Sequence, residues 1–175
     1  MEEETFTKHL IRRGLSSKYT NNAFIDRFEE IVTFPLWNCT GQLLGYQKYN
    51  WKADKLRNND NKGKYYTYRR KDWLTFWGLD LIDLSCKEPL YIVEGVWDAV
   101  SVNNAGFKCI AVLSNHPKQL KNLLNCLPCK TVALCDGDDA GKMLSKVTDN
   151  CIVLPEKVDC NDMSIEEIKI LLKNS

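Results

Sequence analysis

The second half of the sequence alternates short apolar runs with helix-like segments, and this alternation restricts the fold more than any other feature. The four apolar runs are PLYIVEG, CIAVLS, TVALCDG and CIVLP. Strands separated by helices and short links predict a parallel sheet covered by helices. Ser164, with Glu167 three residues later, is a capping-box pattern that predicts the start of the last helix. In sheets of this kind the functional groups gather at the carboxyl ends of the strands.

Acidic residues follow three of these predicted strands. They are Glu94 after the first strand, Asp136 and Asp138 after the third, and Asp159 and Asp162 after the fourth. Asp98 lies four residues beyond Glu94, one helical turn on, so it can face the same cleft. Carboxylates at one sheet edge repel one another unless a cation lies among them, and ligands that offer only oxygen suit Mg²⁺ or Mn²⁺. On its own, the DGDD segment also fits a polar turn with a helix cap, a role that we assign to Asp139.

The first part, residues 1–86, has a different pattern from the second part, residues 87–175. It opens with a predicted helix, a break at Gly14 and a second helical stretch. A predicted hairpin with its turn at NCTG follows, then a polar loop and the aromatic segment YYTYRRKDW. We therefore predict a smaller N-terminal α+β subdomain in front of the parallel sheet.

Basic and aromatic residues interleave between residues 46 and 71. The candidates for contacts to a nucleic-acid backbone or to a triphosphate are Lys48, Lys52, Lys64, Arg69 and Arg70. The aromatic residues among them are Tyr46, Tyr49, Trp51, Tyr65, Tyr66 and Tyr68. Such a mixture is typical of a single-strand stacking surface, but alternate aromatic residues in a hairpin usually form core, and we expect most of these to be core with Tyr65 as the exception. Lys142, beside the acidic segment, can reach a phosphate or neutralise a neighbouring aspartate.

Composition excludes several classes of protein. The N-terminal segment MEEETFTKHL is acidic and has no apolar run, so we expect no signal peptide, and no stretch approaches the ~20 apolar residues of a membrane span. This favours a cytoplasmic protein without a membrane partner. The 8 cysteines are then expected to be free thiols. The single CxxC, Cys126 to Cys129, lacks a second pair, so we expect no zinc.

The segments YIVEGVWDAVSVNNAG, TVALCDGDDAGKMLSK and LPEKVDCNDM resemble the Toprim domain. That domain is shared by bacterial-type and phage primases, topoisomerases, some nucleases and RecR-like repair proteins. Its signature, a Glu-Gly after one strand and an Asp-x-Asp after a later one, matches Glu94-Gly95 and Asp136-Gly137-Asp138. The resemblance therefore implies an α/β Toprim fold with a central, mostly parallel four-stranded sheet flanked by helices.

Within this family the sequence looks most like the primases. EGxxD with Asp98, DGDxAG and LPxxxDxND have the primase form, and the hairpin FPLWNCTGQLLGYQKY, the KGKYYTYR segment and TFWGL resemble the primase segment before Toprim. The resemblance implies metal-dependent synthesis of RNA primers from ribonucleoside triphosphates on single-stranded DNA during replication. It makes Glu94, Asp136 and Asp138 the catalytic metal ligands, with Glu94 as an alternative general base.

The same resemblance implies supporting residues and partners. Asp98, Asp159 and Asp162 are further ligands or support them. The zinc module and the helicase region that such primases carry have no counterpart in this sequence. We therefore expect a core that works with a partner helicase, in bacterial or phage-infected cytoplasm. Two alternatives stay open: a Toprim nuclease cutting DNA or RNA at the same carboxylates, and a non-catalytic protein that binds or loads on single-stranded DNA.

Overall fold

The computed structural model describes residues 4–56, 58–70, 73–83, 87–113, 117–135, 143–155 and 158–173. The chain divides into two compact units, Met1–Trp77 and Gly78–Ser175. The boundary that we predicted between residues 86 and 87 lies inside the second of these units and remains a prediction. Among the described residues, no helix is both long and apolar enough to cross a membrane.

The first unit combines one helix with an antiparallel sheet. Helix α1 spans Phe6–Arg12, and a 3-10 helix spans Ser17–Tyr19. The sheet has the order β1-β2-β3-β4, with strands Phe24–Asp26, Ile31–Trp37, Leu43–Asn50 and Tyr65–Arg69. All three strand pairs are antiparallel, as the predicted α+β subdomain requires.

The second helical stretch predicted after Gly14 is wrong. Helix α1 does end before Gly14, whose φ of 81° is left-handed. Beyond it, only the short 3-10 helix forms, and Phe24 to Asp26 pair with β2 as strand β1 instead. The pairing with a strand later in the chain overrides the weak helical pattern of this segment.

The predicted hairpin is confirmed as β2 and β3, joined by the NCTG turn. The Asn38 side chain stabilises this turn, because its Oδ1 accepts hydrogen bonds from the backbone N–H groups of Thr40 at 3.1 Å and Gln42 at 2.8 Å. Gly45 lies close to the backbone of Tyr68 and Arg69 in β4. A Cβ atom at this position would lie 2.2 Å from the carbonyl oxygen of Tyr68, so only glycine fits without a shift of the strand.

One face of this sheet carries the core of the first unit. Phe34, Tyr19 and Trp77 pack together there, and the indole Nε1 of Trp77 donates a hydrogen bond to the carbonyl of Asn22 at 2.8 Å. The buried His9 of α1 bonds to the hydroxyl of Tyr49 through Nε2 at 2.7 Å. Burial raises the pKa of Tyr49 to about 12, so the hydroxyl stays protonated and can serve this bond.

The second unit contains the predicted parallel sheet. Its order is β6-β5-β7-β8, with β5 at Leu90–Val93, β6 at Lys108–Ala111, β7 at Thr131–Cys135 and β8 at Asn150–Val153. All neighbouring pairs are parallel. The helices that are described in full include α2 at Val96–Asn104, α3 at Pro117–Leu124 and α4 at Ile165–Lys173. The predicted α/β class, with a four-stranded parallel sheet and helices, is confirmed.

The position of each strand follows from its sequence. Every residue of β5 and β7 is buried, as continuous apolar runs predict for central strands, whereas β8 forms an exposed edge. The predicted capping box also forms: the backbone N–H of Ser164 donates to Glu167 Oε2 at 2.7 Å, and the Glu167 N–H donates to Ser164 Oγ at 3.3 Å. The Ser164 hydroxyl also donates to Glu167 Oε2, at 2.7 Å, and this bond together with the one from the Ser164 N–H lowers the pKa of the Glu167 carboxyl.

Candidate functional site

The chain changes direction across the parallel sheet between β5 and β7. From β5 it crosses to β6 on one side, and it returns to β7 on the other side of β5. Ligands of open α/β sheets bind outside the carboxyl ends of the strands at such a switch point. Glu94 directly follows β5, and β7 ends at Cys135, the residue before Asp136. Glu94 therefore lies at one of the two strands that flank the switch point, and the other strand, β7, ends one residue before the DGD element in the sequence.

Glu94 and Asp98 line one small pocket at this edge of the sheet. The other walls come from Val93, Leu134 and Leu154, at the carboxyl ends of β5, β7 and β8, and from Cys160. Both carboxylate residues are half-buried, so each has one side toward protein and one toward solvent. Glu94 lies just before the N-cap of α2 and Asp98 lies in its first turn, and both reach the same pocket.

Gly95 makes room for the carboxylate of Asp98. It is the N-cap of α2, with an extended backbone at φ −98° and ψ 146°. A Cβ atom at this position would lie 2.6 Å from Asp98 Oδ2, well inside van der Waals contact. The glycine of the Glu-Gly pair thus has a physical reason: any other residue would push the Asp98 side chain out of its position.

Asp98 and Asn161 connect helix α2 to the segment that carries the last two acidic candidates. Asp98 Oδ1 accepts a hydrogen bond from the backbone N–H of Asn161 at 3.1 Å. The Asn161 side-chain amide donates to Ser101 Oγ at 2.7 Å and to the carbonyl of Trp97 at 3.3 Å. Asp98 therefore has a positioning contact in the described structure, in addition to its place in the pocket wall.

Asp159 and Asp162 are carried by this connected segment. A 3-10 helix spans Cys160–Asp162, Asp159 is its N-cap, and both aspartates are exposed. Cys160, between them, is buried and forms part of the pocket wall. The fold therefore anchors this acidic segment beside the pocket while its two carboxylates point toward solvent.

Asn161 is a functional candidate that sequence reasoning missed. It stands inside the LPxxxDxND motif, but we assigned it no role from the sequence. The available signal was its place between two acidic candidates, since an amide there can hold the backbone that presents them. Its three contacts lie 60 to 64 residues away in the chain, a distance that no local pattern reveals.

Asp98 also affects the pKa of a buried thiol, that of Cys109. Burial raises the pKa of the Cys109 thiol, and the nearby Cys160 and Asp98 raise it further. Cys109 is therefore a protonated, buried thiol rather than a nucleophile or a metal ligand.

The remaining acidic candidates, Asp136 and Asp138, lie outside the described residues, as does Lys142. Within the described ranges, no three His, Cys, Asp or Glu side chains are grouped closely enough to hold a metal ion. The described donors at the pocket, Glu94 and Asp98, offer carboxylate oxygens, which is the ligand chemistry that a hard divalent cation prefers. The chemistry of these residues thus fits the predicted Mg²⁺ or Mn²⁺.

The basic and aromatic candidates between residues 46 and 70 belong to the first unit, and those on its strands are distributed over two faces of its sheet. Lys48 lies on the open face, where its Nζ is 5.8 Å from the ring centre of Tyr66. Arg69 has the opposite orientation, because it pairs with Gly45 in the register that also pairs Tyr65 with Tyr49. Tyr65 packs its ring 5.2 Å from that of the buried Tyr49, so it borders the core.

The other three basic candidates flank the strands. Lys52 forms an ion pair with Glu30, and this contact lowers the pKa of the Glu30 carboxyl. The backbone of Lys64 is fixed by hydrogen bonds to Asp54 and Asn50. Arg70 follows β4 and lies 5.9 Å from the ring centre of Trp73.

Comparison with known proteins relates this architecture to primases. No family model matches the chain. A DNA primase of Lactococcus lactis is 24% identical over 91% of this chain and 27% of its own length. The chain spans about a quarter of the length of the curated relatives it matches.

Solved structures are similar over nearly the whole chain. A DNA primase domain from Pseudomonas aeruginosa has a TM-score of 0.61 at 17% identity, covering 97% of this chain and 59% of that one. A DnaG primase catalytic domain bound to single-stranded DNA has a TM-score of 0.57 at 19% identity, covering 94% of this chain and 59% of that one. The chain thus has the fold of the catalytic core of DnaG-type DNA primases.

Proposed function

We propose that this chain is the catalytic core of a DNA primase, which joins ribonucleotides into short RNA primers on single-stranded DNA in a reaction that depends on Mg²⁺ or Mn²⁺. The observation that carries the proposal is that Glu94 follows β5 at the switch point, and that the other flanking strand, β7, ends one residue before Asp136 in the sequence. The DnaG-type fold supports it, because the matched relatives are named DNA primases.

In this proposal the acidic residues divide into ligands and supports. Glu94, Asp136 and Asp138 hold the divalent ions, and Asp159 and Asp162 supplement them from the anchored 3-10 helix. Asp98 holds that helix in place through the backbone N–H of Asn161. The ions supply charge stabilisation for a triphosphate and for attack by a 3′-hydroxyl on its α-phosphorus.

The basic residues of the first unit contact the template backbone or the incoming triphosphate. They are Lys48, Lys52, Lys64, Arg69 and Arg70, with Tyr65 beside them and Lys142 near the acidic site. Each contact to a phosphate adds affinity that decreases with salt. A replicative helicase as partner, and DNA replication as the process, follow from the resemblance to primases.

Primer synthesis is the direct test. The protein is incubated with single-stranded DNA, ribonucleoside triphosphates and either Mg²⁺ or Mn²⁺, and the RNA products are separated on a gel. We expect short RNA that disappears with EDTA and falls at least about 100-fold in Asp136→Ala or Asp138→Ala, because each removes a proposed ligand.

Asp139→Ala is the matched control. It removes the same charge one residue away from a proposed ligand, at a position assigned to a helix cap, so primer synthesis should fall by less than about 10-fold. Cleaved DNA without incorporated nucleotides would instead identify a nuclease. Equal losses in all three variants would contradict the division between ligands and cap.

A further inference from the structure

The open face of the first unit's sheet carries a cluster of tyrosines that neither the core nor the acidic site uses. Tyr46 and Lys48 alternate on β3, and Tyr66 and Tyr68 alternate on β4, so all four side chains project from one face. The register places Tyr46 opposite Tyr68 and Lys48 opposite Tyr66. We call these four residues the tyrosine face.

The rings of the tyrosine face form a continuous aromatic surface. The rings of Tyr46 and Tyr68 are stacked, with centres 5.5 Å apart and planes inclined by 29°. The ring centre of Tyr66 is 6.3 Å from that of Tyr46, and Lys48 Nζ lies 5.8 Å from the centre of the Tyr66 ring. Three aromatic rings with an ammonium group at one end therefore lie side by side.

The tyrosine face is solvent-accessible, whereas the opposite face is core. Tyr68 is 54% exposed, and Tyr46, Lys48 and Tyr66 are half-buried. On the other face, Tyr49 is only 1% exposed. Burial in the core explains Tyr49, whereas the three tyrosines of the open face lie outside that core.

The charge around this surface favours a polyanion as its occupant. Residues 48–70 include eight lysines and arginines against two aspartates, Asp54 and Asp60. Lys48 lies on the tyrosine face itself, whereas Arg69 lies on the opposite face and Lys52 is paired with Glu30. An apolar protein surface covering the tyrosine face would desolvate Lys48, which is costly for an unpaired charge. A strand of nucleic acid would instead place its phosphates near the basic residues and its bases on the rings.

The bases must be unpaired to use such a surface. Aromatic rings stack on exposed bases of any sequence and cannot reach those inside a duplex.

We propose that the tyrosine face is a stacking platform for single-stranded DNA, separate from the face that carries Tyr65. The inference extends the proposed function by naming a surface that holds the strand. Its test uses EDTA and no ribonucleotides. Failure of primer synthesis and failure of this inference are therefore distinguishable.

Binding to a fluorescein-labelled oligothymidine of about 16 nucleotides is followed by fluorescence anisotropy. The double variant Tyr66→Thr/Tyr68→Thr keeps β-prone residues in the strand while it removes both rings. Since stacking contributes about 1–3 kcal/mol per base, we expect Kd to rise at least about 5-fold per tyrosine. Tyr68→Phe, which retains the ring, should bind within about 2-fold of the unmodified protein, and Lys48→Gln should reduce the salt dependence of binding by about one phosphate contact.

Phe28→Thr is the matched control, because Phe28 is an aromatic residue of the same unit that is 93% exposed and lies outside the tyrosine face. It should leave Kd unchanged. The inference is overturned if the double variant binds as tightly as the unmodified protein, if Phe28→Thr weakens binding equally, or if the double variant weakens binding to duplex DNA by the same factor.

Photochemical cross-linking tests the unmodified protein, so it does not depend on how the variants fold. An oligothymidine with 5-iodouracil substitutions is irradiated in the complex, and the cross-linked peptides are mapped by mass spectrometry. Cross-links at Tyr46, Tyr66 or Tyr68 support the platform. Cross-links confined to other residues overturn it.

Discussion

Gly95 and Asp98 give a prediction whose magnitude follows from the structure. In Gly95→Ala, the new methyl group would lie 2.6 Å from Asp98 Oδ2, so the carboxylate must move. Because Oδ1 of the same carboxylate accepts the hydrogen bond from the backbone N–H of Asn161, we expect this movement to break that bond. A hydrogen bond to a charged group contributes about 1.5–3 kcal/mol to the free energy of unfolding.

A second, smaller cost arises at the start of α2. Gly95 is the N-cap of this helix, and alanine is a poorer cap than glycine by roughly 0.5–1 kcal/mol. The total expected loss for Gly95→Ala is therefore about 2–4 kcal/mol. In an Asp98→Ala background there is no carboxylate to displace, so the same substitution should cost only the cap, roughly 0.5–1 kcal/mol.

The assay is a double-mutant cycle with Gly95→Ala, Asp98→Ala and the combined variant. Urea unfolding is followed by circular dichroism. If the two units unfold in separate transitions, the transition that Asp98→Ala shifts is the one analysed. We expect a coupling free energy of about 1.5–3 kcal/mol between the two positions. A coupling below about 0.5 kcal/mol, within the error of additivity, would refute the claim that Gly95 makes room for the carboxylate.

Three further predictions concern groups outside the acidic site. Burial lowers the pKa of His9 below its ordinary 6.5. The stability that its neutral form contributes is therefore complete above pH 6.5 and is lost as the pH falls through the lowered pKa. His9→Gln should flatten the pH dependence of the free energy of unfolding just below pH 6.5. Hydrogen bonds from the N–H and hydroxyl of Thr131 lower the pKa of Asp149. The contribution of these bonds to stability is therefore present above pH 3.8 and is lost in stronger acid. Asp149→Asn should make thermal stability less sensitive to pH in that range, and an unchanged acid profile would contradict this. The thiols of Cys135 and Cys151 lie 3.2 Å apart on neighbouring strands. A diazene oxidant should therefore join them as a disulfide while it is itself reduced to the hydrazine. Mass spectrometry should detect the linked peptides, and Cys151→Ser should abolish the link.

Much of the second unit could be predicted from its sequence because its elements are locally determined. Leu90–Val93 and Thr131–Cys135 are apolar at every position or nearly so, as central parallel strands must be. The capping box of α4 needs only Ser164 and Glu167, three residues apart. Once the parallel sheet is inferred, the rule for strand ends selects Glu94 without further information.

The parts that could not be predicted depend on contacts between distant residues. Strand β1 has three residues and exists because it pairs with β2, which no local pattern signals. The contact of Asn161 with Ser101 joins positions 60 residues apart. The division of the tyrosines between two faces requires the register of β3 with β4 across a polar loop, and the sequence leaves that register undefined because both strands alternate similar aromatic residues.

The bridge between Asn161 and helix α2 also limits how this region can vary. Asn161 contacts the carboxylate of Asp98, the hydroxyl of Ser101 and the carbonyl of Trp97 at once, so a substitution at one of these positions changes what the others must satisfy. In a library with all pairs of substitutions at positions 98, 101 and 161, the tolerated residues at each position should depend on the residues at the other two. Positions 98, 101 and 161 therefore depend on one another. A design that transfers the acidic segment to another sheet must transfer all three residues together.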